Sequence, residues 1–526
     1  MTVDKARFDK PLVEILDEAF GLFSERVCLQ FEEQSYTYGE VQLLSTKVAQ
    51  ALAGAGFKKG MHAAIYSLNS AEAFIATLGI IRAGGVWIPV NPRNSEDDNV
   101  KVLGNLGCDV LIYQQAFTSA LEKVETAGNK LVLSACFEGI EGQPSFMEWA
   151  EQAPKAELDV SWKETDTITI PMTGGTTGLP KGVMLSDRNF RALSYSSTVF
   201  MDREADHIPV CLCAAPMTHV GGRIALTSMA AGARFVIKDK VDLQDVLQTI
   251  QVEGISDLFL PPTAIYGLLA QPNVREFDYS SLRNMATGSA PMSVSQLKLA
   301  IEVFGPVMSS GFGQTECPMK ITQMRPTDYI SNGVLASDER LRSVGRATEI
   351  SEVAILDDDA NPLPVGERGE IGVKGGNVSE GYFNAPEQTA KIRKNGWHLT
   401  GDIGYMDDEG FVYIVDRKKD MIITGGFNVY SAEVELGLGA MDGVAGVAVI
   451  GVPSEKWGEE VKAIIQPAPG ASLNAETIMQ QAKELMGSVK APKSVEFVDD
   501  FPKTPLGKID KKVIRDTYWK GLDRAV

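Results

Sequence analysis

The chain has 526 residues, of which 44% are hydrophobic and 23% are charged, a composition typical of soluble globular proteins. Its net charge of −19 argues against nucleic acid and anionic membrane surfaces as main partners. The length exceeds that of a typical single domain, so we expect two or three domains. An anionic substrate would need a locally basic site.

The cysteines and the N-terminal residues indicate the compartment. The first ten residues lack the apolar core of a secretory signal, and the six cysteines are scattered without a C-x-x-C pair. We therefore expect free thiols, no metal cluster and a cytoplasmic protein. The most apolar stretch, residues 71–90, contains Glu72 and Arg82, so no membrane insertion is expected.

Residues 40–135 alternate between helical and strand patterns. Val41, Leu44, Val48 and Leu52 recur at the spacing of one helix face. Strands alternating with helices indicate parallel sheets covered by helices. The other elements predicted here are strands at Ala63–Tyr66, Gly85–Val90 and Val110–Tyr113 and a helix through Phe74, Leu78 and Ile81.

A segment rich in glycine and threonine follows the strand pattern Thr167–Ile170. Residues 172–186, MTGGTTGLPKGVMLS, combine backbone N–H groups, hydroxyls and Lys181, as a loop around a polyphosphate requires. The segment is not a Walker A loop, because Pro180 and Gly182 flank the lysine where that motif requires G-K-[ST]. An ordinary strand-to-helix turn is the alternative interpretation.

Beyond this segment the alternation resumes, and at about Val344 it gives way to short strands with close turns. The charged run Asp416–Asp420 is either a solvated surface or a hinge. Because self-sufficient patterns lie on both sides of it, we predict two domains, 1–418 and 419–526. The elements predicted on the two sides are strands at Val210–Ala215, Arg234–Ile237, Asp257–Leu260, Pro306–Ser309, Glu352–Leu356, Gly369–Lys374, Phe411–Val415, Val444–Val452 and Val495–Phe497, and a helix at Ala475–Met486.

Five motifs, taken in order, resemble the adenylate-forming superfamily of acyl-CoA synthetases, peptide-synthetase adenylation domains and luciferases. The resemblance extends from about residue 10 to 520 and is strongest to the AMP-forming acid–CoA ligases. It implies an α/β N-terminal AMP-binding domain, made of two parallel-type subdomains and a small β-rich one, and a mobile α+β C-terminal domain. The motifs are Thr173–Gly182, Gly311–Glu316 (GFGQTE), Thr400–Asp402 (TGD), Asp416–Lys419 with Gly425–Gly426, and Pro505–Lys508 (PLGK).

The resemblance implies that a carboxylate attacks the α-phosphorus of ATP to give an acyl-adenylate and pyrophosphate. Coenzyme A then displaces AMP. The expected cofactors are ATP, Mg²⁺ and coenzyme A. The residues implied to hold the β- and γ-phosphates are Thr173, Gly174, Gly175, Thr176, Thr177, Gly178 and Lys181.

In the GFGQTE motif, the resemblance implies that Phe312 stacks on adenine and that Thr315 contacts the α-phosphate. Glu316, with Thr173, is expected to hold Mg²⁺, a cation that prefers oxygen ligands. The other residues assigned to the nucleotide are Gly311, Gly313, Gln314 and, in the more loosely matching GSAP segment, Ser289.

Two motifs farther along imply the ribose contacts and a catalytic lysine. Asp402 and Arg417 are expected to bind the ribose hydroxyls, although an aspartate in a type I turn is the alternative for TGD. Lys508 is expected to stabilise the negative charge that develops on the carboxylate and the α-phosphate.

The resemblance makes Lys419 the hinge about which the C-terminal domain rotates between the two half-reactions. Gly425 and Gly426 would then line the path of the pantetheine arm of coenzyme A. A hairpin turn is the alternative role for the two glycines.

The acyl pocket follows from two further segments. His219 is assigned, with Lys508, to the catalytic set, because its counterpart borders the adenylate carbonyl, and no base role is implied. Glycines near it suggest room for a broad ring and therefore an aromatic or cyclic acid. Arg223 and Lys320 either meet a polar end of the substrate or, as we favour, extend to solvent. The residues assigned to this pocket are His219, Gly221, Gly222 and Met319.

An AMP-forming acid–CoA ligase is the leading hypothesis. One alternative is an adenylating enzyme whose acceptor is an amine or a carrier-protein thiol, and a second is a catalytically silent nucleotide-binding relative. Retention of Glu316, Asp402, Arg417 and Lys508 argues against the silent relative. The acid and the oligomeric state are left open, with a homodimer as one alternative.

Overall fold

The computed structural model describes residues 3–173, 181–201, 207–503 and 509–520. Two compact units make up the chain. The first comprises Met1–Val353 with Val373–His398, and the second Ala354–Gly372 with Leu399–Val526. The domain boundary at residues 418 and 419 stays a prediction.

Several helices of the first unit begin at side chains that satisfy their free N–H groups. At the second helix, Thr37 accepts the N–H of Glu40 and the Glu40 carboxylate accepts the N–H of Thr37, which is a capping box. The α-helices of the described residues are α1 (Leu12–Leu22), α2 (Tyr38–Gly54), α3 (Ala71–Arg82), α4 (Glu96–Asn105), α5 (Thr118–Thr126), α6 (Phe146–Gln152), α7 (Asp187–Met201), α8 (Val220–Ser228), α9 (Leu243–Glu253), α10 (Pro262–Leu269), α11 (Val294–Phe304), α12 (Pro326–Tyr329), α13 (Pro386–Lys391), α14 (Ser431–Gly439), α15 (Ala475–Lys490) and α16 (Lys511–Tyr518).

The strands are short in the first unit and longer near the end of the chain. Those of the described residues are β1 (Val27–Phe31), β2 (Gln34–Thr37), β3 (His62–Tyr66), β4 (Val86–Pro89), β5 (Val110–Tyr113), β6 (Leu133–Cys136), β7 (Thr167–Thr169), β8 (Met172–Thr173), β9 (Lys181–Ser186), β10 (Val210–Cys213), β11 (Arg234–Ile237), β12 (Asp257–Phe259), β13 (Asn284–Thr287), β14 (Met308–Phe312), β15 (Thr322–Met324), β16 (Ile330–Ser331), β17 (Val334–Leu335), β18 (Gly345–Ala347), β19 (Ser351–Leu356), β20 (Gly369–Gly375), β21 (Gly381–Tyr382), β22 (Arg393–Lys394), β23 (Trp397–Met406), β24 (Phe411–Arg417), β25 (Ile422–Thr424), β26 (Phe427–Val429), β27 (Val444–Ser454), β28 (Gly458–Pro467) and β29 (Ser494–Phe497).

Two mixed sheets organise the first unit. In one, the strand order is β18-β15-β14-β13-β12-β10-β11-β1-β2, and all pairs from β14 to β1 are parallel. In the other, the order is β21-β9-β7-β4-β3-β5-β6, with β8 paired to β9. Here β7, β4, β3, β5 and β6 are parallel neighbours, whereas β9 runs antiparallel to β7. The predicted parallel sheets are confirmed.

The second of these sheets is buried on both faces. Ile65 and Ile112 point to one face, where they pack with helices α2 and α3. Ala64 and Leu111 point to the other face, which α4 and α5 cover. This arrangement explains why the strands read as continuous apolar runs rather than as alternating ones.

One strand differs from its predicted bounds in a way that matters for the site. The predicted strand Pro306–Ser309 is observed as Met308–Phe312, because antiparallel pairing with β15 continues to the partners Phe312 and Thr322. Gly311 and Phe312 therefore belong to the strand instead of following it.

The second unit contains β24 and parts of β19, β20 and β23, which are hydrogen-bonded in the order β19-β20-β23-β24. A further sheet has the order β26-β25-β28-β27, with β29 parallel to β28. Helices α14 and α15 pack on one of its faces and Ile514 of α16 on the other. The predicted α+β character of the C-terminal segment is confirmed.

All six cysteines lie among the described residues, are buried and form no disulfide. Within the described ranges, no helix combines the length and the apolarity needed to cross a bilayer. The same ranges contain no group of three or more His, Cys, Asp and Glu side chains placed to hold a metal ion.

Candidate active site

The first unit brings several predicted site residues to one edge of a sheet. β10, β13 and β14 belong to the same parallel sheet, and their carboxyl ends lead to His219, Ser289 and the GFGQTE motif respectively. Ligands of α/β proteins bind at this edge, because the loops that follow parallel strands converge there. A Cβ at Gly288 would lie 3.3 Å from the carbonyl oxygen of Gly311, so the loop after β13 closely approaches the end of β14.

The backbone at this edge is tightly constrained. Ser289 and Met319 adopt φ angles of 67° and 62°, in the left-handed region that side chains rarely occupy. A Cβ on Gly313 would lie 2.6 Å from the backbone nitrogen of Met319, so only glycine fits there. Gln314 N–H donates to the Cys317 carbonyl at 3.0 Å, which closes the turn. Such constrained backbone is common at binding sites.

The two ends of the predicted phosphate loop are fixed by a strand pair. Thr173 on β8 and Lys181 on β9 are cross-strand partners, so the chain leaves and re-enters the sheet at adjacent positions. Residues 174–180, which include the predicted Gly174, Gly175, Thr176, Thr177 and Gly178, lie outside the described residues.

Tyr382 connects this strand pair to the GFGQTE motif. It pairs with Val183 of β9, its hydroxyl donates to Glu316 Oε1 at 2.6 Å, and Lys181 Nζ lies 4.9 Å from its ring centroid. Burial and this hydrogen bond raise the pKa of Tyr382, so the phenol stays protonated and donates. The structure thus places the predicted metal ligand and the predicted phosphate lysine against one tyrosine.

A second hydrogen-bond network holds Gln314 of the GFGQTE motif. The guanidinium of Arg393 donates to Nδ1 of His398, which leaves Nε2 to donate to Gln314 Oε1 at 3.3 Å. Arg393 also donates to the Ser379 carbonyl at 2.8 Å. Burial and the charge of Arg393 lower the pKa of His398 to about 3, so the imidazole is neutral. No sequence pattern distinguishes Arg393 or His398 as a site residue.

His398 leads to a prediction about pH. Its folded pKa of about 3 lies below the unfolded value, so the unfolded chain binds a proton that the folded chain excludes. Stability is therefore lost as the pH falls below 6.5, by about 1.4 kcal/mol per pH unit for this group. His398→Gln keeps an acceptor for Arg393 and a donor for Gln314 without titrating. Urea unfolding at pH 8, 6 and 5 should show a shallower decline for the variant, and parallel declines would contradict this role.

His219 precedes α8, and its N–H donates to the Pro216 carbonyl at 2.9 Å. Desolvation of the imidazole and the charge of Arg223 lower its pKa to about 4. Its surface is nevertheless exposed. The imidazole is therefore neutral at physiological pH, and the acyl-pocket role of His219 stays a prediction.

The predicted reason for Gly221 and Gly222 is wrong. A Cβ on Gly222 would lie 1.9 Å from the Met217 carbonyl oxygen, and one on Gly221 would lie 2.6 Å from that of Ala215. The glycines let the first turn of α8 pack against the chain's own backbone, and they leave no additional space for a broad ring. Their assignment to the acyl pocket stays a prediction.

Arg223 and Lys320 do not extend freely to solvent, contrary to the interpretation favoured from sequence. Arg223 is 5% exposed. Lys320 is half-buried, its Nζ donates to the Ser196 carbonyl at 3.2 Å, and it lies 5.0 Å from the centroid of the Phe200 ring. Long side chains usually reach water from such positions, so the buried guanidinium is unusual.

In the second unit, the two predicted ribose residues contact each other. Asp402 on β23 and Arg417 on β24 are cross-strand partners, and Arg417 Nε lies 2.7 Å from Asp402 Oδ1. The Asp402 side chain is 3% exposed, whereas that of Arg417 is 54% exposed. Gly401, with φ of 70°, allows the backbone to turn just before the aspartate. The pair can present a carboxylate and a guanidinium to the same diol.

The predicted hinge and coenzyme A residues also lie in the second unit. Lys419 belongs to a 3-10 turn, Lys418–Asp420, and burial lowers its pKa. Gly425 and Gly426, with φ of 57° and 82°, form the two-residue turn of the β25–β26 hairpin. The hairpin alternative is therefore observed, and it does not conflict with a binding role. Lys508 lies outside the described residues.

Comparisons with known proteins agree along nearly the whole chain. A family model described as AMP-binding enzyme matches residues 16–383, and one described as AMP-binding enzyme C-terminal domain matches residues 433–508. A medium- and long-chain fatty acid–CoA ligase of Mycobacterium tuberculosis is 33% identical over 506 residues, which cover 93% of this chain and 87% of the relative.

Two solved structures superpose closely. The amide bond synthetase McbA of Marinactinospora thermotolerans has a TM-score of 0.84 at 26% identity, covering 97% of this chain and all of that one (100%). The ATP-bound MatB of Rhodopseudomonas palustris has a TM-score of 0.84 at 28% identity, covering 96% of this chain and 99% of that one.

Proposed function

We propose that this chain, which belongs to the AMP-binding enzyme family of adenylate-forming ligases, is an AMP-forming carboxylic acid–CoA ligase. It would activate an acid with ATP to an acyl-adenylate and pyrophosphate, and then transfer the acyl group to coenzyme A. One relative is a fatty acid–CoA ligase, which supports coenzyme A as the acceptor of the acyl group.

The contact of Tyr382 with both Glu316 and Lys181 carries the ATP part of the proposal. It places a carboxylate and an ammonium group beside the ends of the Gly/Thr-rich loop, where a metal-bound triphosphate requires charges of both signs. Mg²⁺ is commonly held by one or two carboxylates and by substrate phosphates, so Glu316 with the Thr173 hydroxyl fits it. Bound there, Mg²⁺ would neutralise phosphate charge.

In the first half-reaction, Phe312 and Ser289 would border adenine, and the Asp402–Arg417 pair would hold the ribose. A carboxylate oxygen of the acid attacks the α-phosphorus, the bond to the β-phosphate breaks, and pyrophosphate leaves. Lys508 would stabilise the negative charge that the carboxylate and the α-phosphate carry in the transition state. Thr315 would position the α-phosphate.

In the second half-reaction, the C-terminal domain would turn about Lys419 and present the Gly425–Gly426 hairpin to coenzyme A. The thiolate attacks the acyl carbonyl and AMP leaves. Gly426 suits a passing pantetheine arm, since a Cβ there would meet nothing within 4 Å. His219, which is neutral at physiological pH, would border the acyl carbonyl without transferring a proton.

Purified protein with ATP, Mg²⁺ and a panel of aliphatic, alicyclic and aryl acids tests this function. We expect pyrophosphate release with at least one acid class, acceleration by coenzyme A, and an acyl-CoA product detected by mass. Pyrophosphate release that coenzyme A does not accelerate, without a thioester product, would contradict the ligase.

An amide synthetase is the second candidate, because McbA, an amide bond synthetase, superposes over 97% of this chain. The same assay with amines in place of coenzyme A separates the two, since amide formation would appear only under this alternative. A catalytically silent relative would release no pyrophosphate with any of the acids.

A further inference from the structure

Arg223 is a buried arginine for which the described residues supply no acceptor. It lies in the first turn of α8, and its side chain is 5% exposed. Its buried Nε makes no hydrogen bond, and no carboxylate of the described residues forms an ion pair with it. Buried charges in proteins are normally paired, and a guanidinium has five N–H donors to satisfy. An anion from elsewhere would complete this site.

The charge is retained at neutral pH. Burial lowers the pKa of Arg223 only to about 10, so the guanidinium stays protonated. Arg223 follows His219, the N-cap of α8, by four residues, and its charge also lowers the pKa of His219. His219 is exposed and directly precedes the helix that carries Arg223.

Helix α7, which packs against α8, offers hydroxyls near Thr227, and its one carboxylate, Asp187, is paired with Arg191. Thr227, one turn after Arg223, lies 3.3 Å from the Ser197 hydroxyl of α7. The hydroxyls of Ser194 and Ser196 on α7 are buried, and the described residues give them no partner. Residues 194–201 of α7 therefore contribute hydroxyls and no carboxylate to this wall.

We propose that Arg223 binds a second anionic group at the far end of the acid, so that the preferred substrates are dicarboxylic acids. This rests on the proposed function, in which His219 borders the reacting carboxylate. A carboxylate matches the planar fork of a guanidinium. Arg223 lies about one helical turn, roughly 5 Å, from the start of α8, which follows His219 directly, and this spacing favours acids whose two carboxyl groups are several carbons apart.

The test compares acids that differ only at the distal end, adipate against hexanoate and 4-carboxycinnamate against 4-methylcinnamate. For the wild type we expect kcat/KM of pyrophosphate release to favour the dicarboxylate by about 10- to 100-fold, the ratio expected for one charged hydrogen-bonded contact. Arg223→Met should reverse the preference. Arg223→Lys should keep part of it, since lysine retains the charge but loses the fork.

Thermal unfolding supplies a measurement independent of turnover. Adipate with ATP should raise the Tm of the wild type and not that of Arg223→Met, and the ligand-free variant should be at least as stable because it buries no unpaired charge. If Arg223→Met does not fold, the proposal is tested by the kcat/KM ratios for the same pairs of acids, measured on the wild type and on Arg223→Lys.

The outcomes separate the two proposals. Equal or better use of the monocarboxylates, with an unchanged ratio in Arg223→Met, overturns the dicarboxylate proposal and leaves the ligase in place. Absence of pyrophosphate release with every acid overturns the ligase itself.

Discussion

Replacing Lys508 with alanine is expected to slow adenylation by about 100- to 1,000-fold, the cost of removing one preorganised charge-stabilising group from a transition state. The reason is that the carboxylate and the α-phosphate carry negative charge at the moment they meet. Thioester formation from a supplied acyl-adenylate should stay near the wild-type rate, because that bond is already made. Pyrophosphate release and acyl-CoA formation, measured separately, check the two half-reactions.

Lys503 offers a matched control in the same segment. It is exposed, pairs with Asp500 at 3.1 Å, and forms a β-bridge with Ile509, so the two ends of the segment that contains Lys508 are held together. Lys503→Ala should therefore change adenylation little. A Lys508→Ala variant that loses both half-reactions equally would contradict the two-conformation mechanism.

Local patterns explain what the sequence could predict. The strands of the parallel sheets are buried on both faces and appear as short apolar runs, so β11 (Arg234–Ile237) was predicted with its observed bounds. Asp402 and Arg417 were assigned to one ligand by resemblance, and the structure pairs them across two strands. Short-range information sufficed, because each motif lies within a few residues of one strand end.

Contacts between distant segments could not be predicted in this way. Tyr382 reaches Glu316 across 66 positions, and His398 reaches Gln314 across 84. A two-residue strand carries no periodicity, so nothing in its sequence distinguished Tyr382. Gly222 shows the opposite error, since a missing side chain was interpreted as space although backbone fills it. The burial of a residue depends on the distant segments that pack against it, and a local sequence pattern does not identify those segments.

Replacing Glu316 with glutamine should reduce kcat/KM for adenylation by roughly 100-fold, since the amide keeps the shape of the carboxylate but loses the charge that a divalent cation requires. Pyrophosphate release over a range of Mg²⁺ concentrations at fixed ATP should show a shift to higher Mg²⁺. ATP binding measured without Mg²⁺ should be unchanged, which separates loss of the metal ligand from collapse of the nucleotide site.

Tyr382→Phe is the matched control for that variant. It keeps the ring beneath Lys181 and removes only the hydroxyl that donates to Glu316 at 2.6 Å. Loss of one hydrogen bond to a charged group should reduce kcat/KM for adenylation by about 10-fold. If Glu316 holds the metal and Tyr382 positions Glu316, the phenylalanine variant must retain most of the activity and the same direction of Mg²⁺ dependence. Equal losses in the two variants would instead make the pair a structural tie between β21 and the GFGQTE motif, and the metal would have to be held elsewhere.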